Sequence, residues 1–417
     1  MKTYVFITRR ISEIGGVEQY VYNKSRYLET QGWSVFVFSA RKGPILIEGL
    51  KRFKDDVYPA LAYAPECYSK REVRKTLDRL AARIGDCGND PCVIQSDAVN
   101  RAIWAELLAK RLQAKHLAFI LQEEHGYDPD TRQFLRFKYD RHELAGITDS
   151  SVSQMLEDET AEQRKDTRIQ AFCANVVEDC PDQVSDRLDA GAARSFGSLG
   201  RLEKPCVPAI LKGFKQYFAA HPDEKFNLVM IGGAPDENTP QRIREEMNEC
   251  KNVRLIMTGN MYPIPLGLLR HIDVFVSAAG SSRATYLAGR PTVRVDPVTG
   301  EPAGVIGLDF GLEDKSMFVS DPDTTIRECI ERALENAGRI SYADEVRKDY
   351  DHRMRAEYDR QLSFADVVTA KGYYDEKLLM RLKTAHIHNH FVHWISGHLV
   401  GGNGLDYLKK IRKRIRK

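Results

Sequence analysis

The fold class predicted for this chain is α/β, built as two doubly wound domains, and three observations predict it. Short apolar runs, several rich in Val, Ile and Phe, alternate with amphipathic stretches along most of the chain. The alternation falls into two series, separated near residues 178–193 by a polar, Asp-rich stretch that holds Pro181 and Gly191. The 417 residues, 42% hydrophobic and 29% charged, suffice for two or three domains and exclude a mostly disordered or fibrous chain.

The first series places strands at residues 4–8, 34–39, 92–95, 116–121, 145–148 and 169–174. The second places them at 194–198, 226–231, 253–257, 273–277, 291–295 and 316–319. Short runs apolar on both faces suit a parallel sheet covered by helices on each side. Helices are predicted between them. Residues 17–29 carry Val17, Tyr20, Val21 and Leu28 on one face, and 101–111, 207–220, 325–337 and 343–357 are similar. Two such series give two Rossmann-like domains, residues 1–185 and 194–365. Residues 366–417 break the pattern: 371–383 read as helix, 385–398 are rich in histidine and aromatics, 400–404 in glycine, and 405–417 read as a basic helix.

Charge narrows the function classes. Lys and Arg number 62 against 59 Asp and Glu, a net +3 that argues against bulk nucleic-acid binding. The basic excess is local: seven of the last nine residues are Lys or Arg, and without them the chain is slightly acidic. Leu405, Leu408, Ile411 and Ile415 fall at helical spacing among those basic residues, the pattern of a helix that lies on an anionic membrane surface. No apolar stretch approaches the ~20 residues of a spanning helix. The run after Met1-Lys2-Thr3 is too short for a signal peptide and has no small-residue cleavage site, so a cytoplasmic protein is expected, peripheral on the membrane through its tail. Eight cysteines without a CxxC pair read as reduced thiols. His386, His388 and His390 alternate, but no Cys or acid completes a shell, so no metal is assigned.

Several turns have the chemistry to hold phosphate. Gly15 and Gly16 lie between the first strand and the first helix, where glycine lets backbone approach a ligand and a helix N-terminus offers N–H groups and partial positive charge. The spacing is not GxGxxG, so a nicotinamide fingerprint is not supported. The second domain opens Gly197-Ser198-Leu199-Gly200-Arg201-Leu202-Glu203-Lys204. There a glycine at a strand exit precedes an Arg and a Lys, a planar fork and a point charge suited to a diphosphate. The next strand ends at Gly232-Gly233 on the same sheet edge.

Taken in order, these pieces resemble the retaining, nucleotide-sugar-dependent glycosyltransferases of the GT-B fold, group 1 or family 4, over roughly residues 1–300. Gly15-Gly16-Val17-Glu18 and Gln31-Gly32-Trp33-Ser34-Val35 resemble the family's opening helix and following turn. Ile147-Thr148-Asp149-Ser150-Ser151 is similar to its I-T-x-S step, and Asn175-Val176-Val177-Glu178 to the segment before its hinge. Gly200-Arg201-Leu202-Glu203-Lys204 resembles its donor-phosphate motif. His221-Pro222-Asp223 with the strand ending at Gly232, Asp273-Val274-Phe275-Val276 and Gly289-Arg290-Pro291-Thr292-Val293 follow in the family's order. The resemblance implies two Rossmann-like domains facing across a cleft. It implies donor contacts from Gly15, Gly16, Gly200, Arg201, Lys204 and Gly233, and a first-domain histidine, His125, facing the donor sugar.

One departure stands out. In the family an acidic pair precedes the G-x-P-V step, whereas residues 277–289 hold no acid and Ala284 stands where the second glutamate falls. Ser281, Ser282, Arg283 and Thr285 are the replacement candidates, supplying hydroxyls and a guanidinium to phosphate or ribose. The expected function is therefore transfer of a sugar from a nucleotide sugar to a hydroxyl of a glycan or lipid-linked acceptor, as in bacterial cell-surface polysaccharide assembly. Arg201 and Lys204 would stabilise the leaving diphosphate, with no metal or other cofactor. The alternative, favoured by the missing acids, is a GT-B-shaped binding or assembly subunit without transferase activity.

Overall fold

The computed structural model describes residues 2–12, 14–120, 127–146, 152, 155–156, 177–312, 323–340, 352, 354–362 and 372–383. The chain divides into two compact units, Met1–Phe172 with Arg353–Lys417, and Cys173–His352.

The first unit is wound around five parallel strands. In chain order its elements are β1 (Thr3–Thr8), α1 (Gly16–Thr30), β2 (Ser34–Ser39), α2 (Lys70–Ile84), β3 (Cys92–Ser96), α3 (Val99–Leu112), β4 (Lys115–Ile120), α4 (Pro129–Asp140) and β5 (Leu144–Gly146). The sheet order is β2-β1-β3-β4-β5. Every residue of β1 and β3 is buried, as a parallel sheet covered on both faces requires. α3 is apolar nearly all round and buries Trp104, whose indole N–H donates to the Tyr63 carbonyl at 2.8 Å. Lys24 of α1 is fully buried. Its ammonium donates to the Tyr4 hydroxyl at 2.7 Å, to Gln95 Oε1 at 2.8 Å and to Gln361 Oε1, which supplies the partners a buried cation needs.

The second unit carries β6 (Val177–Glu178), β7 (Arg194–Leu199), α5 (Val207–Ala220), β8 (Phe226–Ile231), α6 (Asn238–Met247), β9 (Val253–Gly259), β10 (Ile264–Pro265), α7 (Leu266–Arg270), β11 (Val274–Ala278), α8 (Ala279–Leu287), β12 (Thr292–Val295), β13 (Pro302–Val305) and α9 (Ile326–Glu335). Its six-stranded sheet has the order β13-β12-β11-β7-β8-β9, parallel except for the β12–β13 pair. β6 and β10 pair separately. α5 buries Val207, Ile210, Leu211, Phe214, Tyr217 and Phe218, a helical stripe that packs with Phe196 and Phe226 of the sheet.

Three differences from the sequence expectations have physical causes. Residues 354–362 and 372–383 belong with the first unit, neither with the second domain nor with a separate extension. Gln361 bonds Lys24, and Tyr374 N–H donates to Glu106 Oε1 at 3.0 Å. The Tyr373 hydroxyl donates to the Ala114 carbonyl at 3.0 Å, and α10 (Glu376–Leu379) pairs Glu376 with Lys110 at 2.8 Å. These are long-range contacts that no local pattern carries. Second, β13 has a weak strand sequence, Pro-Ala-Gly-Val, and owes its place to the hairpin closed by Asp296 N–H on the Glu301 carbonyl at 2.8 Å. Third, α2 and α4 lie where no helix was expected; each has a side-chain N-cap, Ser69 and Asp128. The strands expected at 169–174 and 316–319 lie outside the described residues.

Candidate functional site

At the C-terminal edge of the second sheet two strand exits are braided. β7 runs into Gly200 at φ +144 and β8 into Gly232 at φ +149, values that favour glycine. Gly200 N–H donates to the Ile231 carbonyl at 2.9 Å and Leu202 N–H to the Gly233 carbonyl at 3.0 Å. A Cβ on Gly232 would overlap the Gly200 carbonyl, and one on Gly233 would meet the Asn260 side chain. The braid leads through residues 201–206 into α5.

Lys204 and the start of α8 converge on this turn. Placing a Cβ on Gly200 would put it 3.4 Å from Ser281 Oγ and 3.6 Å from Lys204 Nζ. A hydroxyl and an ammonium therefore approach the same bare stretch of backbone. Lys204 is half-buried, and burial lowers its pKa, with the charge of Arg201 adding to the effect. Ser198, Gly200, Arg201, Lys204, Met230 and Ala278 help to line the small cleft here. α8 begins at a strained point, Ala279 at φ +52, directly after β11.

The other expected donor residues behave differently. Arg201 is 53% exposed at its side chain and pairs with Glu203 at 3.2 Å. The hydroxyls of Ser282 and Thr285 point inward, and both residues are fully buried. Ser282 donates to the Ala279 carbonyl at 2.7 Å, and Thr285 shares a 2.9 Å bond with Thr292. A helix places i and i+3 on one face, so Ser282 and Thr285 turn together into the core and serve the fold. Of this set Ser281 is the residue whose hydroxyl approaches the Gly200 turn. Arg283 is half-buried.

In the first unit Gly15 caps α1 and Gly16 is its first residue. The Glu18 carboxylate folds back over Gly15, where a Cβ would sit 2.5 Å from Oε2, and accepts from Arg10 Nε at 3.3 Å. The positive end of α1 is thus already faced by a carboxylate, which gives the glycine a structural reason. The same sheet edge holds a cationic group that sequence reasoning missed. Asp97, just past β3, accepts from the Thr8 hydroxyl at 2.6 Å and from Arg9 N–H at 3.3 Å, and pairs with Arg101. Burial, then the charges of Arg41, Arg10 and Arg101, lower the pKa of the Arg9 guanidinium. The signal was present as arginines at the exits of β1 and β2. His125 lies outside the described residues.

No family model matches the chain, and no curated protein matches it. Solved structures do. A glycosyltransferase from Rickettsia africae is 13% identical with a TM-score of 0.53, over 94% of this chain and 97% of that one. Anabaena HepE in complex with UDP-glucose is 12% identical with a TM-score of 0.55, over 88% and 100%. TarM of S. aureus, in complex with UDP among other ligands, is 10% identical with a TM-score of 0.52, over 89% and 100%. The chain has the GT-B fold. At these identities the likeness speaks for the fold, and the GT-B chain's chemistry rests on its own residues.

Of those, the structure brings together Gly200, Gly233, Lys204 and Ser281, drawn from three separate strand exits of one sheet. The Gly15-Gly16 turn belongs to the other unit.

Proposed function

We propose that this protein is a glycosyltransferase that moves a sugar from a nucleoside-diphosphate donor to a hydroxyl of a glycan or lipid-linked acceptor. The observation that carries the reading is the convergence of Lys204 Nζ and Ser281 Oγ on the bare backbone of Gly200. It brings an ammonium and a hydroxyl to one strand exit that carries no side chain, a set matched to a diphosphate. The neighbours support it: HepE is described with UDP-glucose and TarM with UDP.

In this reading the second unit holds the donor. Lys204, with Arg201 turning from Glu203 toward the ligand, stabilises the leaving diphosphate, so that no metal is required for that task. By the family resemblance alone, His125 is assigned a role at the donor sugar, with the anomeric configuration retained. The protein works in the cytoplasm, held to the inner membrane face by its basic tail. Its products serve cell-surface polysaccharide.

Calorimetry with UDP and turnover with UDP-sugars test this. Lys204→Ala is expected to weaken UDP binding by about 1.5–3 kcal/mol, the value of a charge-assisted contact. Unchanged affinity removes Lys204 from the site. Tight UDP binding with neither transfer nor hydrolysis of any UDP-sugar favours the non-catalytic subunit, the reading to which the acid-free α8 points.

A further inference from the structure

Arg294, on β12, is 2% exposed. Its Nε donates to Ser282 Oγ at 3.4 Å, its guanidinium lies over the Phe310 ring at 5.1 Å, and its Nη2 is buried with no hydrogen-bond partner. Arg283, on the neighbouring helix α8, also has a buried Nε without a partner. Among the described residues neither guanidinium has an ion pair with, or a hydrogen bond to, a carboxylate. Burial, then the charge of Arg283, lowers the Arg294 pKa to about 10, which leaves it cationic at neutral pH.

Two neighbouring like charges in a partly dry environment, without a counter-ion among the described residues, oppose folding. An apolar side chain of the same volume would serve packing better. The pair makes physical sense if its counter-ion arrives with a ligand. A planar guanidinium fork selects oxyanions, phosphate or carboxylate. Arg283 is half-buried and Arg294 fully so, and the pair thus runs from the surface inward. Its place is also informative. β12 lies beside β11, the strand that delivers Ser281 to Gly200 and Lys204, and Ser282, the partner of Arg294, is the next residue.

We propose that Arg283 and Arg294 form an oxyanion subsite adjoining the Gly200–Lys204–Ser281 turn, filled by a phosphate of the donor's diphosphate or by a carboxylate on its sugar. The proposal rests on the nucleotide-sugar reading above and adds Arg294, a residue outside every motif of the sequence, to its binding groups. It also gives the acid-free α8 a rationale: a carboxylate there would neutralise the arginines before the ligand came.

The experiment uses the full chain, its Arg294→Met variant and, as the more exposed member, Arg283→Gln. Melting temperature is read in anion-free buffer, and affinity is measured for pyrophosphate, UDP, UDP-glucose and UDP-glucuronate. Arg294→Met is expected to melt no lower than the wild type without ligand, because it removes an unpaired buried charge. If the subsite takes phosphate, both variants lose ten- to a hundredfold in affinity for pyrophosphate and UDP. If it takes a sugar carboxylate, the wild type prefers UDP-glucuronate over UDP-glucose by tenfold or more, and the variants lose only that preference. Equal affinities in all three proteins for every probe overturn the subsite while leaving the donor reading intact. Pyrophosphate binding that depends on the arginines, without binding of any nucleotide, keeps the subsite and removes the donor reading. An Arg294→Met protein that melts well below wild type, with Arg283→Gln affinities unchanged, overturns the proposal in favour of a packing role. Failure of every probe to bind the wild type also overturns it.

Discussion

Gly232 has no side chain because there is no room for one. Its φ of +149 is rare for an L side chain, and a Cβ would enter the Gly200 carbonyl. Overlap with backbone and strain at an unfavourable φ each cost about 1–3 kcal/mol. Gly232→Ala is therefore expected to lose about 3 kcal/mol of stability in urea unfolding. Gly338→Ala, where a Cβ meets open space, should change little. His116 gives a second residue-scale test. It is buried at the start of β4, with Nδ1 2.7 Å from Glu106 Oε2 and Nε2 3.1 Å from Ser96 Oγ. Burial first, then the charge of Lys138, pushes its pKa down to about 4 from 6.5. A base whose folded pKa is depressed contributes full stability above its unfolded pKa and loses it as pH falls toward the folded one. About 2 kcal/mol should disappear between pH 7 and pH 5, and the loss should be absent in His116→Gln. Urea midpoints across that range check it; a flat profile in the wild type would mean that His116 binds its proton equally in the folded and unfolded states.

At the scale of elements, the segment 372–383 shows how a weak helix is held. α10 has four residues, far below the length at which a helix stands alone in water. Tyr374 anchors it, with its ring 5.3 Å from Phe134 and 5.2 Å from Phe137, and its N–H on Glu106. Glu106 in turn takes the Lys138 ammonium at 2.8 Å. Tyr374→Ala should cost about 3 kcal/mol, the usual loss for a buried aromatic. Tyr374→Phe should cost little, because the N–H is backbone. Thermal or urea unfolding separates the two; equal effects would point to the hydroxyl instead of the ring.

For the whole molecule the testable feature is the basic end. Seven of the last nine residues are Lys or Arg, with Leu405, Leu408, Ile411 and Ile415 among them. These residues lie outside the described ones, and the expectation rests on their chemistry. Basic residues near an anionic surface contribute about 1 kcal/mol each, and the attraction is screened by salt. The full chain should sediment with vesicles rich in anionic lipid at low salt and less at high salt, whereas a chain ending at Gly404 should stay in solution. Equal sedimentation of both would rule out the tail as the anchor.

The sequence by itself determined the α/β class, the two series of strands and the glycine exits at Gly200 and Gly232. All of these are written in local periodicity and in residues with distinctive backbone freedom. Lys204 and Ser281 were legible as candidates for the same reason, each standing just past a strand. The tertiary structure alone decided which hydroxyl of α8 reaches the Gly200 turn, since Ser282 bonds the Ala279 carbonyl and Thr285 bonds Thr292, whereas Ser281 Oγ approaches Gly200. It decided that residues 354–362 and 372–383 return to the first unit, through bonds to Lys24 and Glu106 more than 250 positions away. And it decided that Arg294, an unremarkable strand residue on paper, lies buried with no carboxylate partner among the described residues. Burial and partnership across such separations are properties of the packed chain, and no local window of sequence records them.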